Sequence, residues 1–260
     1  SQVGAINRKA KLRWADINPK TGCICPKAVK KLITKNTKAI IAVNWAGKFC
    51  DYRELKSFNI PVIEDAAHCW DVFKNNNQDR GDYICYSFQA IKFLTTSDGG
   101  ALITPKEKEK EARLLRWYGL DRTKGQSFRC TQNITIAGFK YHMNDVAASI
   151  GIENIPYAKD SVMEHRSNSK FFIENIDNKL ISNSQWDDDC SFWIHPIYLK
   201  NSKKAEFIEY MRLNNISCSP VHYRNDKYDC TFKFAEGSLP GVDLFTETQV
   251  CIPNGWWLTN

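Results

Sequence analysis

A chain of 260 residues with 43% hydrophobic and 12% aromatic content carries enough apolar surface to bury a core, as one large domain or two modest ones, which excludes an intrinsically disordered protein. Lys and Arg outnumber Asp and Glu by 36 to 29, a formal +7, yet the basic residues are scattered along the chain, so nucleic acid is not an expected partner. No apolar run approaches the roughly 18 to 20 residues a bilayer span needs and no secretory leader opens the chain, so a soluble, cytoplasmic protein without a membrane partner is expected.

The first half alternates short β-rich runs with helical patterns, which points to an α/β sheet domain. Residues 11–16 (KLRWAD) and 38–43 (KAIIAV) read as strands on either side of a helix over 26–33, where Pro26 suits a first turn that needs no N–H. A helix over 51–58 leads into the strand PVIED (61–65), and DYICYSF (82–88) and GALIT (100–104) supply further strands. Residues 106–118 read as helix, with Gly119 as its C-terminal cap. A polar, poorly patterned stretch (121–137) follows. Asn144 then caps DVAASIG, and an amphipathic helix over about 158–176 is expected to bridge two domains. The remainder offers a strand (191–199), a helix (203–213) and another strand (216–223), the makings of a smaller α/β unit. The expected division is a large domain over 1–155 and a small one over 156–260.

Ten cysteines show neither a compact disulfide framework nor paired C-x-x-C ligands, so they read as reduced thiols and no metal site is expected. Cys85, inside YICYSF, serves as a small hydrophobe.

The segment richest in chemistry runs from PVIEDAAHCWD (61–71) to YSFQAIKFLTTSDGGALIT (86–104). Asp65 closes an apolar strand, at the edge of an open α/β sheet where ligands bind, although a helix-capping aspartate is the plain alternative. Ser87 ends another strand, and Lys92 lies five residues on, before a Thr-Thr-Ser-Asp-Gly-Gly turn. A lone loop lysine is ordinarily a solvated charge.

The combination is more specific than its parts. Glu64, Asp65, Ala66, Ala67 and His68, then Ser87 and Phe88, then Lys92, then Gly99 and Gly100 resemble the hallmark order of the DegT/DnrJ/StrS-type sugar aminotransferases, which are fold-type I pyridoxal-phosphate enzymes. The resemblance continues in RWYGLDR (116–122), AGFKYHMNDVAASIG (137–151) and IPNGWWLT (252–259), similar to a nucleotide-sugar branch of that family, and so spans almost the whole chain.

The resemblance implies a mixed, mostly parallel sheet in a large cofactor-binding domain, a smaller C-terminal α/β domain, pyridoxal 5'-phosphate as cofactor, and a homodimer with the site at its interface. It implies that Lys92 gives the amine that binds the cofactor aldehyde and later moves a proton between substrate carbons, two tasks that only an amine performs together. Asp65 is implied to pair with the pyridine nitrogen and keep it protonated. His68 is implied to lie near the phenolic oxygen of the ring, and Ser87 to offer its hydroxyl to the phosphate. Their plain alternatives are a satisfied core histidine and ordinary strand-end hydrogen bonding.

Lys140 and His142 stand where many relatives carry Asn and Arg, in a loop that reaches across a dimer interface to the partner's cofactor; a lysine there contacts phosphate as a point charge. His222 and Tyr223 fall where relatives place a histidine near the substrate sugar, although a lone histidine at a strand end is more often structural. Trp256 and Trp257 are expected to pack the small domain onto the large one.

The resemblance enters the family partway through its large domain. The family's glycine- and serine-or-threonine-rich phosphate loop at a helix N-terminus is not among these residues, nor is the aromatic that stacks on the cofactor ring. A companion segment that supplies both, or a relic that has lost them, are the two expectations, and retention of Lys92 with Asp65 favours the first. The implied activity is amino transfer from glutamate to the keto group of a nucleotide-linked deoxysugar, for amino-sugar biosynthesis of surface-glycan type. Related sugar dehydratases carry histidine in place of the lysine, so Lys92 argues for transamination. From a different class, a catalytically silent subunit that keeps the fold for assembly or regulation is the alternative.

Overall fold

The computed structural model describes residues 1–70, 80–125, 128–177, 179–200, 203–234 and 236–258. Asp71, Thr259 and part of the polar stretch at 121–137 lie outside them. Short helices α1 (Val3–Asn7) and α2 (Pro26–Leu32) precede β1 (Ile40–Val43), α3 (Tyr52–Lys56), β2 (Val62–Asp65), β3 (Tyr83–Ser87) and β4 (Gly100–Ile103). Helices α4 (Glu109–Arg116), α5 (Phe128–Thr131) and the long α6 (Asp145–Asn175) follow. The C-terminal part comprises β5 (Ile181–Asn183), β6 (His195–Leu199), α7 (Lys204–Leu213), α8 (Asp229–Phe232), α9 (Pro240–Thr248) and β7 (Gln249–Ile252).

The first sheet has the order β1-β2-β3-β4, parallel across its first two pairings and antiparallel at the third, which is the mixed, mostly parallel arrangement expected. Register pairs Val43 with Asp65 and Asp65 with Cys85, so the carboxyl ends of three strands share one edge with Asp65 at its centre. Alternation along β1 and β2 turns Ile40, Ala42, Val62 and Glu64 inward. Those apolar side chains pack with Cys23, Val29, Cys50, Tyr52 and Leu55, and each large one contributes about 1.5–3 kcal/mol by leaving water. The second sheet is antiparallel, β5-β6-β7, and its core is Ile197, Leu199, Cys218, Val250 and Ile252.

Local signals act where the sequence places them. Asp51 caps α3 by accepting from the Glu54 N–H at 2.9 Å, and Asn144 caps α6 by accepting from Ala147 at 2.9 Å. Gly119, beyond α4, has φ 77° and donates its N–H to the Leu114 carbonyl at 2.8 Å; a Cβ there would stand 2.0 Å from the Ile136 oxygen.

Several expectations need correcting. Residues 11–16 run without a ladder and form no strand; Ile17 makes only an isolated bridge to Ile24. Asp16 does different work, accepting from the N–H groups of Gly241 and Val242 at 2.9 Å each and so capping α9 across more than 200 residues of sequence. Residues 216–223 are also not a strand beyond the bridge Ser219–Cys251, because Pro220 has no N–H to extend a ladder. The strand expected at 191–199 begins only at His195, since the preceding residues pair with the turn at Ala46–Gly47 instead.

DVAASIG and the amphipathic helix merge into one 31-residue α6 that carries Pro156 inside it, and the boundary expected after residue 155 falls within this helix. Helices α1 and α9 and strands β5 and β7 carried no clear pattern. Trp256 and Trp257 do not close the domain junction: Trp256 is 70% exposed, and Trp257 folds over Gly255. All ten cysteines are free, and among the described residues there is no metal-ligating cluster and no helix long and apolar enough to cross a membrane.

Candidate active site

Lys92 sits in a loop that closes on itself through Lys92 N–H to Gln89 O, Thr96 N–H to Phe88 O and Phe88 N–H to Gly99 O, each at 2.9 Å. Gly100 lets β4 approach β3, because a Cβ there would meet the Tyr86 oxygen at 2.3 Å. Helix α6 grips this loop from one side. Asn154 donates to the Thr95 carbonyl at 3.1 Å, Gly151 lies directly against Thr96, and His165 meets the Phe93 ring edge-on at 4.9 Å. Without a side chain at Gly151 the helix comes closer than any other residue would permit.

The other side of Lys92 is covered from far along the chain. Residues 190–193 run beside the turn at Ala46–Gly47, where Ser191 N–H donates to Gly47 O at 3.3 Å and Trp193 N–H to Ala46 O at 3.1 Å. Gly47 is required here: its φ is 90°, and a Cβ would lie 2.5 Å from the Ser191 hydroxyl and 2.9 Å from the His68 carbonyl. The indole of Trp193 then faces three partners. Its N–H donates to the Ile91 carbonyl at 3.0 Å, its ring stacks on His68 at 4.0 Å, and Lys92 Nζ lies 3.6 Å from its ring centre.

The electrostatics follow from burial. Desolvation lowers the Lys92 pKa to about 8 against the pull of the Asp65 charge, so neutral amine is far more available than in a solvated lysine. Among the described residues Lys92 makes no salt bridge. His68 is buried, and its Nδ1 accepts from the Ala46 N–H at 3.2 Å, which leaves Nε2 to carry the proton. Burial first, then the charges of Lys92 and His222, holds its pKa well below the ordinary value, so the ring is neutral. His222 approaches His68 at 5.7 Å and is depressed by its own desolvation and by Lys92. Asp65 accepts from the Ala67 N–H at 3.0 Å and from the Ser1 hydroxyl.

The structure thus gathers Asp65, His68, Lys92 and His222 at the carboxyl edge of the sheet. Asp65, His68, His222 and Tyr223 open onto a cleft of about 1410 Å³, which Arg224 also lines. Tyr223 is largely exposed on that wall and packs against Tyr228 at 5.2 Å. Ser87 ends β3 opposite Gly100 and accepts from Gln89 N–H at 3.4 Å, a strand-end bond of the ordinary kind.

Lys140 and His142 are not brought to this cluster. Lys140 is exposed and bridges to Trp117 through its backbone, and the His142 ring packs on Trp117 with centroids 3.4 Å apart. Trp193 was not singled out from the sequence; its only local signal is an indole just ahead of an apolar strand, and nothing local says that it reaches Lys92.

An amine whose pKa is lowered toward neutrality, a carboxylate on the strand next to the one that leads into its loop, and a neutral imidazole beside them fit an aldehyde-bearing pyridinium cofactor. The amine meets the aldehyde and the carboxylate suits a protonated ring nitrogen. The mixed, mostly parallel sheet is that of a fold-type I pyridoxal-phosphate transferase. The model of the DegT/DnrJ/EryC1/StrS aminotransferase family matches residues 3–260, and the chain belongs to that family of pyridoxal-phosphate-dependent enzymes.

Individual proteins are similar over most of this chain. The sugar aminotransferase CalS13 of Micromonospora echinospora superimposes with a TM-score of 0.89 at 26% identity, covering 98% of this chain and 73% of that one. AtS13 of Actinomadura melliaura gives a TM-score of 0.89 at 29% identity, over 98% of this chain and 72% of that one. The uncharacterized protein MJ1066 of Methanocaldococcus jannaschii is 27% identical over 95% of this chain and 70% of its own length.

Proposed function

We propose that this chain moves an amino group from glutamate to the keto group of a nucleotide-linked deoxysugar, in cytoplasmic amino-sugar synthesis of surface-glycan type. Glutamate leaves as 2-oxoglutarate and the keto carbon is reduced to one that bears an amine, so the exchange balances without an outside oxidant or reductant. The observation that carries the reading is the half-buried Lys92 amine, held over Trp193 within the field of Asp65. Bound there, pyridoxal phosphate supplies an electron sink for breaking a bond at the amino-bearing carbon.

The roles proposed for the protein's own groups follow from their chemistry. Lys92 offers its free amine to the aldehyde and carries a proton to and from the substrate carbon. Asp65 holds a proton on the ring nitrogen, neutral His68 donates from Nε2, and Ser87 gives its hydroxyl to phosphate. His222 and Tyr223 face the sugar from the cleft wall. Lys140 and His142 are assigned to the partner's site in a homodimer. Exposed Tyr141, Val146, Ile152 and Tyr157, on and just ahead of α6, support such an interface.

The purified chain mixed with pyridoxal phosphate is expected to show a near-visible absorbance band, absent in Lys92→Ala and discharged by glutamate. A chain that folds yet gives no band, with or without a supplied N-terminal segment, acts instead as a silent subunit of the same fold.

A further inference from the structure

Trp193 is placed by the second half of the chain but spends its contacts on the first. Its own N–H is tied to Ala46, and the carbonyl of the same peptide group, of Phe192, accepts from Asn254 at 2.6 Å, so the peptide that leads into the indole is held at both of its polar atoms. The side chain then reaches the loop of Lys92 and the imidazole of His68 together.

We propose that Trp193 is a positioning residue for the reactive amine. Its N–H pins the carbonyl of Ile91, the residue just before Lys92, and its π face keeps water from Nζ while bracing His68. This rests on the reading of Lys92 as the amine that takes the cofactor. Physically, an aromatic face suits both states of the amine: it attracts the ammonium weakly through its quadrupole and still excludes the water that favours charge. A hydrogen bond from the same indole to the adjacent backbone converts a flexible four-carbon side chain into one with a fixed base. Because Trp193 precedes β6, the arrangement makes the Lys92 site depend on the C-terminal part being docked.

The test needs no cofactor. The pH dependence of Lys92 acylation in the chain, read by peptide mass spectrometry against an exposed control such as Lys30, gives the midpoint of the amine's titration. Trp193→Leu is expected to raise that midpoint by about one pH unit toward an ordinary lysine, and Trp193→Phe, which keeps a face but loses the N–H, by less. The Lys30 midpoint stays put. Midpoints for Lys92 unchanged in both variants overturn the proposal; if Trp193→Leu does not fold, the Phe variant decides by whether the midpoint moves. The absorbance band of the wild-type chain tests the cofactor reading separately, so a failure of one is distinguishable from a failure of the other.

Discussion

Glu64 and Asp65 are neighbouring carboxylates at the end of β2, and strand alternation sends them to opposite faces with opposite fates. Glu64 is fully buried and accepts from Asn44 at 2.7 Å, from the Gly81 N–H at 2.8 Å and from Arg80, whose Nη2 lies 2.7 Å away. Arg80 goes on to Tyr86 at 3.0 Å, and Asn44 accepts from Tyr52 at 2.6 Å. Asp65, one residue on, faces the cleft with Ala67 and Ser1 for donors. Complete satisfaction makes the first carboxylate part of the scaffold. Accessible oxygens leave the second available to a ligand.

That contrast can be broken at its strongest point first. Glu64→Ala leaves Arg80 in place without its carboxylate and is expected to cost about 3–5 kcal/mol, measured by denaturant unfolding. A loss below about 1 kcal/mol would show that the network contributes little.

A buried polar group without partners sharpens the comparison from the other side. His195 is fully buried against Phe172 and Phe192, with no hydrogen-bond partner among the described residues at either ring nitrogen, and desolvation takes its pKa down to about 4. A folded pKa below the unfolded value near 6.5 means that its contribution is complete above about pH 6.5 and lost as pH falls toward 4. His195→Phe should therefore lose about 2 kcal/mol less stability than wild type between pH 7 and pH 5, His68 supplying part of the acid sensitivity that remains. Parallel stability curves for the two proteins would count against this.

The smallest stability effect is expected at Asp65. Asp65→Asn should stay within about 0.5 kcal/mol of wild type in unfolding while lowering transamination about 100-fold. A variant that loses stability as Glu64→Ala does would erase the distinction between the two faces.

What could be read in advance follows the range of each signal. The cap at Asn144 acts within one helical turn, and the order Asp65, His68, Ser87, Lys92 lies within one run of strands, so both were legible. Asp16 looked like the end of a strand and turned out to cap a helix more than 200 residues away. Trp256 and Trp257 read as packing residues by composition, yet Trp256 is largely exposed, while Trp193 of the C-terminal half reaches the loop of Lys92.

By itself the sequence determined the α/β class and, through the order of its motifs, the family, because strand alternation, capping and motif order are local properties of the chain. Only the tertiary structure decided that Glu64 is scaffold while Asp65 is open, that residues 11–16 form no strand, and that an indole from the C-terminal half covers Lys92. Those outcomes depend on which distant groups arrive to satisfy a hydrogen bond or exclude water, and that is a property of packing.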